Sequence, residues 1–275
     1  MLAALIIVFR EVFEAGIIVG IMLAVTRGIA HSGWWIGGGV AAGALGACGA
    51  AVFAGALAAA FEGYGQEFFN AAILIVAVVM LTWHNVWMAH HGRELAAEMR
   101  AAGEAVAAGS KSLAGLAVVV AVAVLREGFE AVLFLYGVVA ASDAGSGLAL
   151  FAGGTIGLLL GAAISAMTYL GLLTIPSRYL FQVTTIMLAF LAAGMAAQAV
   201  AFLEQADALT ALGAVLWDTS WILSDHSMLG RALHTLVGYT DQPTALQLLV
   251  YLATLAVTFG LLRLFSSQPA PQAAT

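Results

Sequence analysis

Two apolar stretches of this chain carry the same charged pattern at their middle. One reads Phe9-Arg10-Glu11-Val12-Phe13-Glu14-Ala15 and the other Leu125-Arg126-Glu127-Gly128-Phe129-Glu130-Ala131, 116 residues apart. An ionised side chain at a bilayer centre costs roughly 2.5–3.5 kcal/mol on insertion scales. Six such groups must therefore face one another, water or an ion. The setting is a membrane because 63% of the 275 residues are hydrophobic and 9% are charged. Soluble domains carry roughly 25% charged residues. An ordinary soluble globular domain is excluded, the lipid bilayer is the expected surrounding, and nucleic acid is not an expected partner. The single cysteine, Cys48, forms no intrachain disulfide and reads as a small packing residue.

Hydropathy places seven helical spans at about 2–26, 34–61, 67–90, 112–140, 147–173, 180–203 and 246–263. Each is long enough to cross an apolar layer of roughly 30 Å at about 1.5 Å per residue. The N-terminus has no basic region before its apolar run, so residues 2–26 read as a retained span rather than a cleaved signal. Arg27, Arg93, Arg100, Lys111, Arg178 and Arg263 all fall on one side of these spans, and only Arg231 on the other. The positive-inside rule then puts the N-terminus outside and the C-terminus inside. Glu62, Glu67, Asp143, Glu204, Asp207, Asp218, Asp225 and Asp241 fall on the outer side, where they can concentrate cations. The outer segment 204–244 is too polar to span. Its Trp and Leu content suits short interfacial helices, one of them capped by Ser227 and running to about Val237.

The two charged patterns sit in spans 1 and 4, which cross in opposite directions. Spans 1–3 and 4–6 thus read as an inverted repeat with span 7 added. Gly39-x-x-x-Gly43 in span 2 and Gly153-x-x-x-Gly157-x-x-x-Gly161 in span 5 occupy matching places, and small residues at this spacing let membrane helices approach closely. The expected fold class is an all-α polytopic membrane protein with a single transmembrane unit over 1–266. Within it lie a first repeat (1–90), a second repeat (112–203), the outer segment (204–244) and a last helix (246–263), followed by a short tail (267–275). Inverted repeats in transporters place the substrate near the midplane, where the halves meet.

Helix geometry orders the charges. Glu11 and Glu14, at i and i+3, share a face, and Arg10 and Glu14, at i and i+4, can pair. The same holds for Glu127, Glu130 and Arg126. If the helices cross at mid-depth, four carboxylates and two guanidiniums converge with a charge of −2. A divalent cation neutralises this set and a trivalent one slightly overcompensates it. Oxygen donors suit hard ions, Fe3+ rather than Cu(I). The competing reading is structural, with intrahelical Arg–Glu pairs joining helices. One glutamate per cluster remains beyond its arginine pair, and the cluster occurs twice. A proton relay through the same glutamates stays open. His84, within Thr82-Trp83-His84-Asn85, reads first as a hydrogen-bonded packing histidine and second as a further ion station. His90 and His91 fall at the inner interface, and His226 and His234 in the outer segment.

The paired Arg-Glu-x-x-Glu motifs resemble the oxidase-dependent iron permeases, which include fungal high-affinity ferric permeases and the bacterial EfeU-type permeases. The usual motif there is Arg-Glu-Gly-Leu-Glu. The copy at Arg126–Glu130 differs from it at one position and the copy at Arg10–Glu14 at two, with Val12 in place of the glycine. Leu81-Thr82-Trp83, Trp87-Met88, Arg93-Glu94-Leu95, Leu216-Trp217-Asp218-Thr219-Ser220, Leu236-Val237-Gly238-Tyr239 and Pro243 extend the likeness to bacterial members. The resemblance implies a permease, not an enzyme, that imports iron across the cytoplasmic (inner) membrane, in a bacterial setting. The iron arrives as Fe3+ made by an extracytoplasmic oxidase or delivered with an iron-binding protein. It implies Glu11, Glu14, Glu127 and Glu130 as ligands, Arg10 and Arg126 in support, and iron as cargo rather than a permanent cofactor. The residues alone leave two alternatives: a carrier for another cation such as Mn2+ or protons, and a membrane haem protein using His84 with His90 or His91. No second helix offers a mid-depth histidine for haem.

The charge asymmetry predicts that a tag at Met1 is accessible from outside intact cells and one at Thr275 is not. The reverse accessibility would overturn the orientation.

Overall fold

The computed structural model describes residues 1–60, 65–140, 147–172, 177–225 and 227–266. Glu62, Asp143, His226 and the tail 267–275 lie outside them. All regular structure among the described residues is helical: α1 (Leu2–Val25), α2 (Ser32–Ala60), α3 (Gln66–Ala107), α4 (Leu113–Ala140), α5 (Gly147–Tyr169), α6 (Ser177–Gln205), α7 (Met228–Val237) and α8 (Ala245–Ser266). A chain this apolar satisfies its backbone within each helix, as a lipid setting requires. Among the described residues, five stretches are long and apolar enough to cross a membrane: Ser32–Ala56, Gln66–Gly92, Gly147–Tyr169, Tyr179–Gln205 and Ala245–Phe265. This is a multi-pass membrane protein. α1 and α4, at 24 and 28 residues, match those five in length but carry the ionisable clusters at their middles. Outward-facing Phe53, Leu148, Phe151 and Leu159 are largely exposed, apolar surface that a soluble monomer would not carry to this extent.

The helices do not pack in chain order. α5 lies along α1, α2 lies along α4, and α3 pairs with α6, which also carries α8. Small residues make the first two junctions. A Cβ on Gly39 or Gly43 would lie 2.5 or 2.6 Å from the carbonyl oxygens of Ala117 and Ala121 in α4. On the other junction Gly153 meets the Met1 carbonyl, and a Cβ on Gly157 would lie 2.5 Å from Leu5 O. The register is the same at both, since the α4 partners follow the α1 partners by 116 residues. One turn on, the glycine changes sides: Gly128 of α4 faces Ala47 of α2, whereas Val12 of α1 faces Gly161 of α5. The bulk of Val12 is accommodated by the glycine opposite it.

Two apolar cores form at different levels of the bundle. One joins Ala3 and Ile7 of α1, Leu74, Ala77 and Leu81 of α3, Phe134 and Val138 of α4, and Leu188 and Met195 of α6. The other joins Met22 of α1, Ile36 of α2, Val106 of α3, and Leu116 and Val120 of α4. α4 therefore runs opposite to α1 and α3, and the charged segments of α1 and α4 fall between the cores. The polar stretch after residue 90, expected as a loop, is instead the continuation of α3 to Ala107. Alanine, glutamate, methionine and arginine there favour helix. Met99, Ala102 and Val106 add an apolar stripe that packs into the second core. The helix stops where Gly109 takes a φ of 76°.

The segment after α6 folds back on itself. Leu216 N donates to Pro243 O and Thr219 N to Asp241 O, at 3.0 and 2.9 Å. Glu204 accepts from the Thr244 hydroxyl and Gln247 Nε2, fixing the end of α6 to the start of α8. Ser227 caps α7 as its sequence suggests, its Oγ accepting from Gly230 N at 2.9 Å. Asp225 and Asp241 each accept the other's backbone N–H at 3.2 Å, and burial pushes the Asp225 carboxyl above its usual range.

Gly157→Val places side-chain atoms against the α1 backbone, which has no rotamer to yield. Overpacking of this kind costs about 1–3 kcal/mol, so a lower melting temperature in detergent is expected. Gly49→Ala, with no atom within 4 Å of the added carbon, should leave it unchanged or raised, and equal losses would contradict the helix pairing.

Candidate functional site

α1 and α4 cross with their charged faces toward each other, and α3 lies across both. Arg10, Glu11, Glu14, His84 and Glu127 are each less than 5% exposed, and Glu130 is also buried. Within α1, Arg10 Nε lies 2.8 Å from Glu14 Oε1 and Arg10 Nη1 lies 3.5 Å from Glu11 Oε1. The close Arg10–Glu14 approach is an ion contact rather than an aligned hydrogen bond, since neither of those atoms has a hydrogen-bond partner. Within α4, Arg126 Nε lies 3.2 Å from Glu130 Oε1 and 4.0 Å from Glu127 Oε1. In both helices the i,i+4 pair is the tighter one, leaving Glu11 and Glu127 the less compensated carboxylates.

The two arginines occupy different environments. Arg10 is enclosed. The Arg126 side chain is 37% exposed, with its guanidinium 4.5 Å from the centre of the Trp87 ring. A cation over an indole face is stabilised by the ring quadrupole, by about 0.5–1 kcal/mol at exposed sites. Trp87 has thus a partner that sequence reasoning did not assign.

His84 is buried between the two charged helices, with partners at both ring nitrogens. Its Nδ1 contacts Glu130 Oε2, and its Nε2 lies 3.5 Å from Glu14 Oε2. One ring nitrogen thus faces each charged helix. The Phe134 ring meets the imidazole edge-on at 6.4 Å between centroids. The neighbouring Asn85 donates to Thr185 O of α6 at 3.0 Å, which anchors α3 at this level. The sequence signal for His84 was its isolation as the sole ionisable residue in the interior of its span.

One ligand atom each from Glu11, His84, Glu127 and Glu130 lies within 4.8 Å of the other three. Donors on opposite sides of an ion with bonds of about 2.1 Å stand about 4.2 Å apart, so a small contraction closes this group around one cation. Glu11 Oε2, Glu14 Oε2 and Glu127 Oε2 are buried without a hydrogen-bond partner. Carboxylate oxygens in that condition are costly unless an ion or water meets them. Glu14, expected in the ligand set, stands beside this group, between Arg10 and His84. His90 and His91 are held elsewhere, at Phe265 O and Trp87 O, and His234 at Tyr239 O.

The profile of the iron permease FTR1 family matches residues 1–266. A ferrous iron permease EfeU of Shigella sonnei is 29% identical over 269 residues, covering 95% of this chain and 96% of that protein. A Yersinia pestis protein of the same name is 30% identical over 256 residues, covering 91% and 89%. An Escherichia coli O157:H7 protein, also a ferrous iron permease EfeU, is 29% identical over 269 residues with 95% and 96% covered. No solved structure matches. The chain belongs to the iron permease FTR1 family.

Removing one partner of a buried ion pair strands the other and costs about 3–5 kcal/mol. Arg10→Ala is therefore expected to destabilise the protein strongly in thermal unfolding. Arg126→Ala should cost less, because the side chain it removes is partly solvated. Equal losses would show that the burial asymmetry is not energetically real.

Proposed function

We propose that this member of the iron permease FTR1 family imports iron across the cytoplasmic membrane through the mid-depth site built by α1, α3 and α4. The observation that carries this reading is the convergence of Glu11, Glu127, Glu130 and His84 within 4.8 Å, buried between two apolar cores. Its four glutamates and two arginines leave a charge of −2 with His84 neutral, which a cation offsets. The protein itself makes and breaks no bonds and holds no resident cofactor. Iron is the cargo.

The path of seven spans follows from giving α1 and α4 the same role as the five more apolar helices. Their charged middles are then at mid-membrane, compensated within the protein rather than by lipid. The inverted repeat is supported by the exchanged pairing of α1 with α5 and α2 with α4 in one register. With the N-terminus outside, the segment 206–244 lies on the outer face, carrying Asp207, Asp218, Asp225 and Asp241 toward arriving cations. An extracytoplasmic oxidase or iron-binding protein supplies the ion there, a reading supported by the family resemblance alone.

Three carboxylates form the hard donor set that suits Fe3+. A second reading, Fe2+, is favoured by the imidazole in the group and agrees with the name of the Shigella, Yersinia and Escherichia relatives. Haem is disfavoured by the placement of His84, both of whose nitrogens face carboxylates. Mn2+ fits the same donors and is separated only by competition.

Glu11→Gln and Glu127→Gln keep side-chain volume and remove charge. Both are expected to abolish 55Fe uptake by cells while membrane insertion stays normal. Wild-type uptake in both variants would end the assignment of this site.

A further inference from the structure

We propose that His84 is the residue that makes the site selective for iron-row transition metals over Ca2+ and Mg2+. This rests on the reading of the α1–α3–α4 cluster as a cation site and goes beyond it by assigning the discrimination to one side chain. His84 lies outside both Arg-Glu-x-x-Glu motifs, on a third helix.

Without it, the group consists of Glu11, Glu127 and Glu130. Carboxylate oxygens are the ligands that Ca2+ and Mg2+ themselves prefer. Such a cage has the charge to hold a divalent ion and little basis for rejecting the wrong one. Imidazole changes this. A neutral ring nitrogen bonds well to iron, cobalt and zinc and poorly to the hard alkaline-earth ions. One nitrogen donor among three oxygens therefore adds affinity for the first class and costs affinity for the second.

The geometry equips His84 for that role. It is 4% exposed and among the four donors within 4.8 Å of one another. The ring is set by Phe134 at its edge, and α3 is held at this level by the Asn85 bond to Thr185 O. Its nitrogens face Glu14 of α1 and Glu130 of α4. Turning from Glu130 to an ion needs no displacement of the helix, because Glu130 is itself in the group.

The competing role is structural: His84 only bridges α1 and α4 through their glutamates. His84→Gln separates the two, since glutamine can still bridge carboxylates through its amide but offers a hard carbonyl oxygen as ligand. The test uses the full-length protein in nanodiscs, titrated anaerobically with Fe2+ in the presence of Ca2+, and separately with Co2+ followed by paramagnetic NMR. Wild type is expected to retain Fe2+ against a large Ca2+ excess and, with Co2+, to show a hyperfine-shifted imidazole N–H signal. Losing even an outer partner of a ligand costs about 10–100-fold in metal affinity, so His84→Gln should lower the Fe2+:Ca2+ preference by at least about tenfold and lose the shifted signal. Bound metal with an unchanged preference in His84→Gln, or a Co2+-loaded wild type without the imidazole signal, would overturn the assignment while leaving the cation site standing. Failure of wild type to bind either metal would overturn both. If His84→Gln does not fold, the wild-type Co2+ spectrum decides alone.

Discussion

Arg10 buried against Glu14 sets the terms for the rest of the molecule. A guanidinium and carboxylates in an apolar bundle are tolerated only where each charge meets another at short range. That requirement fixes the face of α1 that turns inward, and with it the face of α4, whose Arg126 and Glu130 repeat the pairing. The remaining carboxylates, Glu11 and Glu127, have no full partner within their own helices. In the proposed function they are the carboxylates whose charge an arriving cation offsets.

The glycine junctions bring helix backbones close behind the charged faces. Gly39 and Gly43 seat α2 on α4, and Gly153 and Gly157 seat α5 on α1, in matching register. The charged helices are thereby backed by rigid partners and left free to face each other. Apolar cores at Ile7–Leu81–Phe134 and at Met22–Val106–Leu116 close the site from both ends. Arg10 is enclosed and the Arg126 side chain is 37% exposed, so the two halves of the site are not equivalent.

Much of this was legible from residues. Apart from the end of α3, the helix limits follow hydropathy to within a few residues, Ser227 announces its cap, and the i,i+4 spacing of Arg10–Glu14 and Arg126–Glu130 gives the ion pairs. Other features depend on partners that no local pattern names. A small-xxx-small stripe states that a helix will pack closely but not against which neighbour, so the exchange of α2 and α5 between α4 and α1 was open. The extension of α3 to Ala107 was hidden because Arg93, Glu94, Glu98 and Arg100 read as a loop until Met99, Ala102 and Val106 find the second core. A single histidine has no spacing, so the sequence does not name the partners of His84, which are Glu14 and Glu130 on two other helices.

The most direct test is a crystal or cryo-EM structure of the iron-loaded protein with the metal located independently, by anomalous scattering at the iron edge in the crystal. A single strong peak is expected among Glu11, His84, Glu127 and Glu130. A peak confined to the segment 206–244, with the Arg10 and Arg126 clusters unchanged and unoccupied, would contradict it.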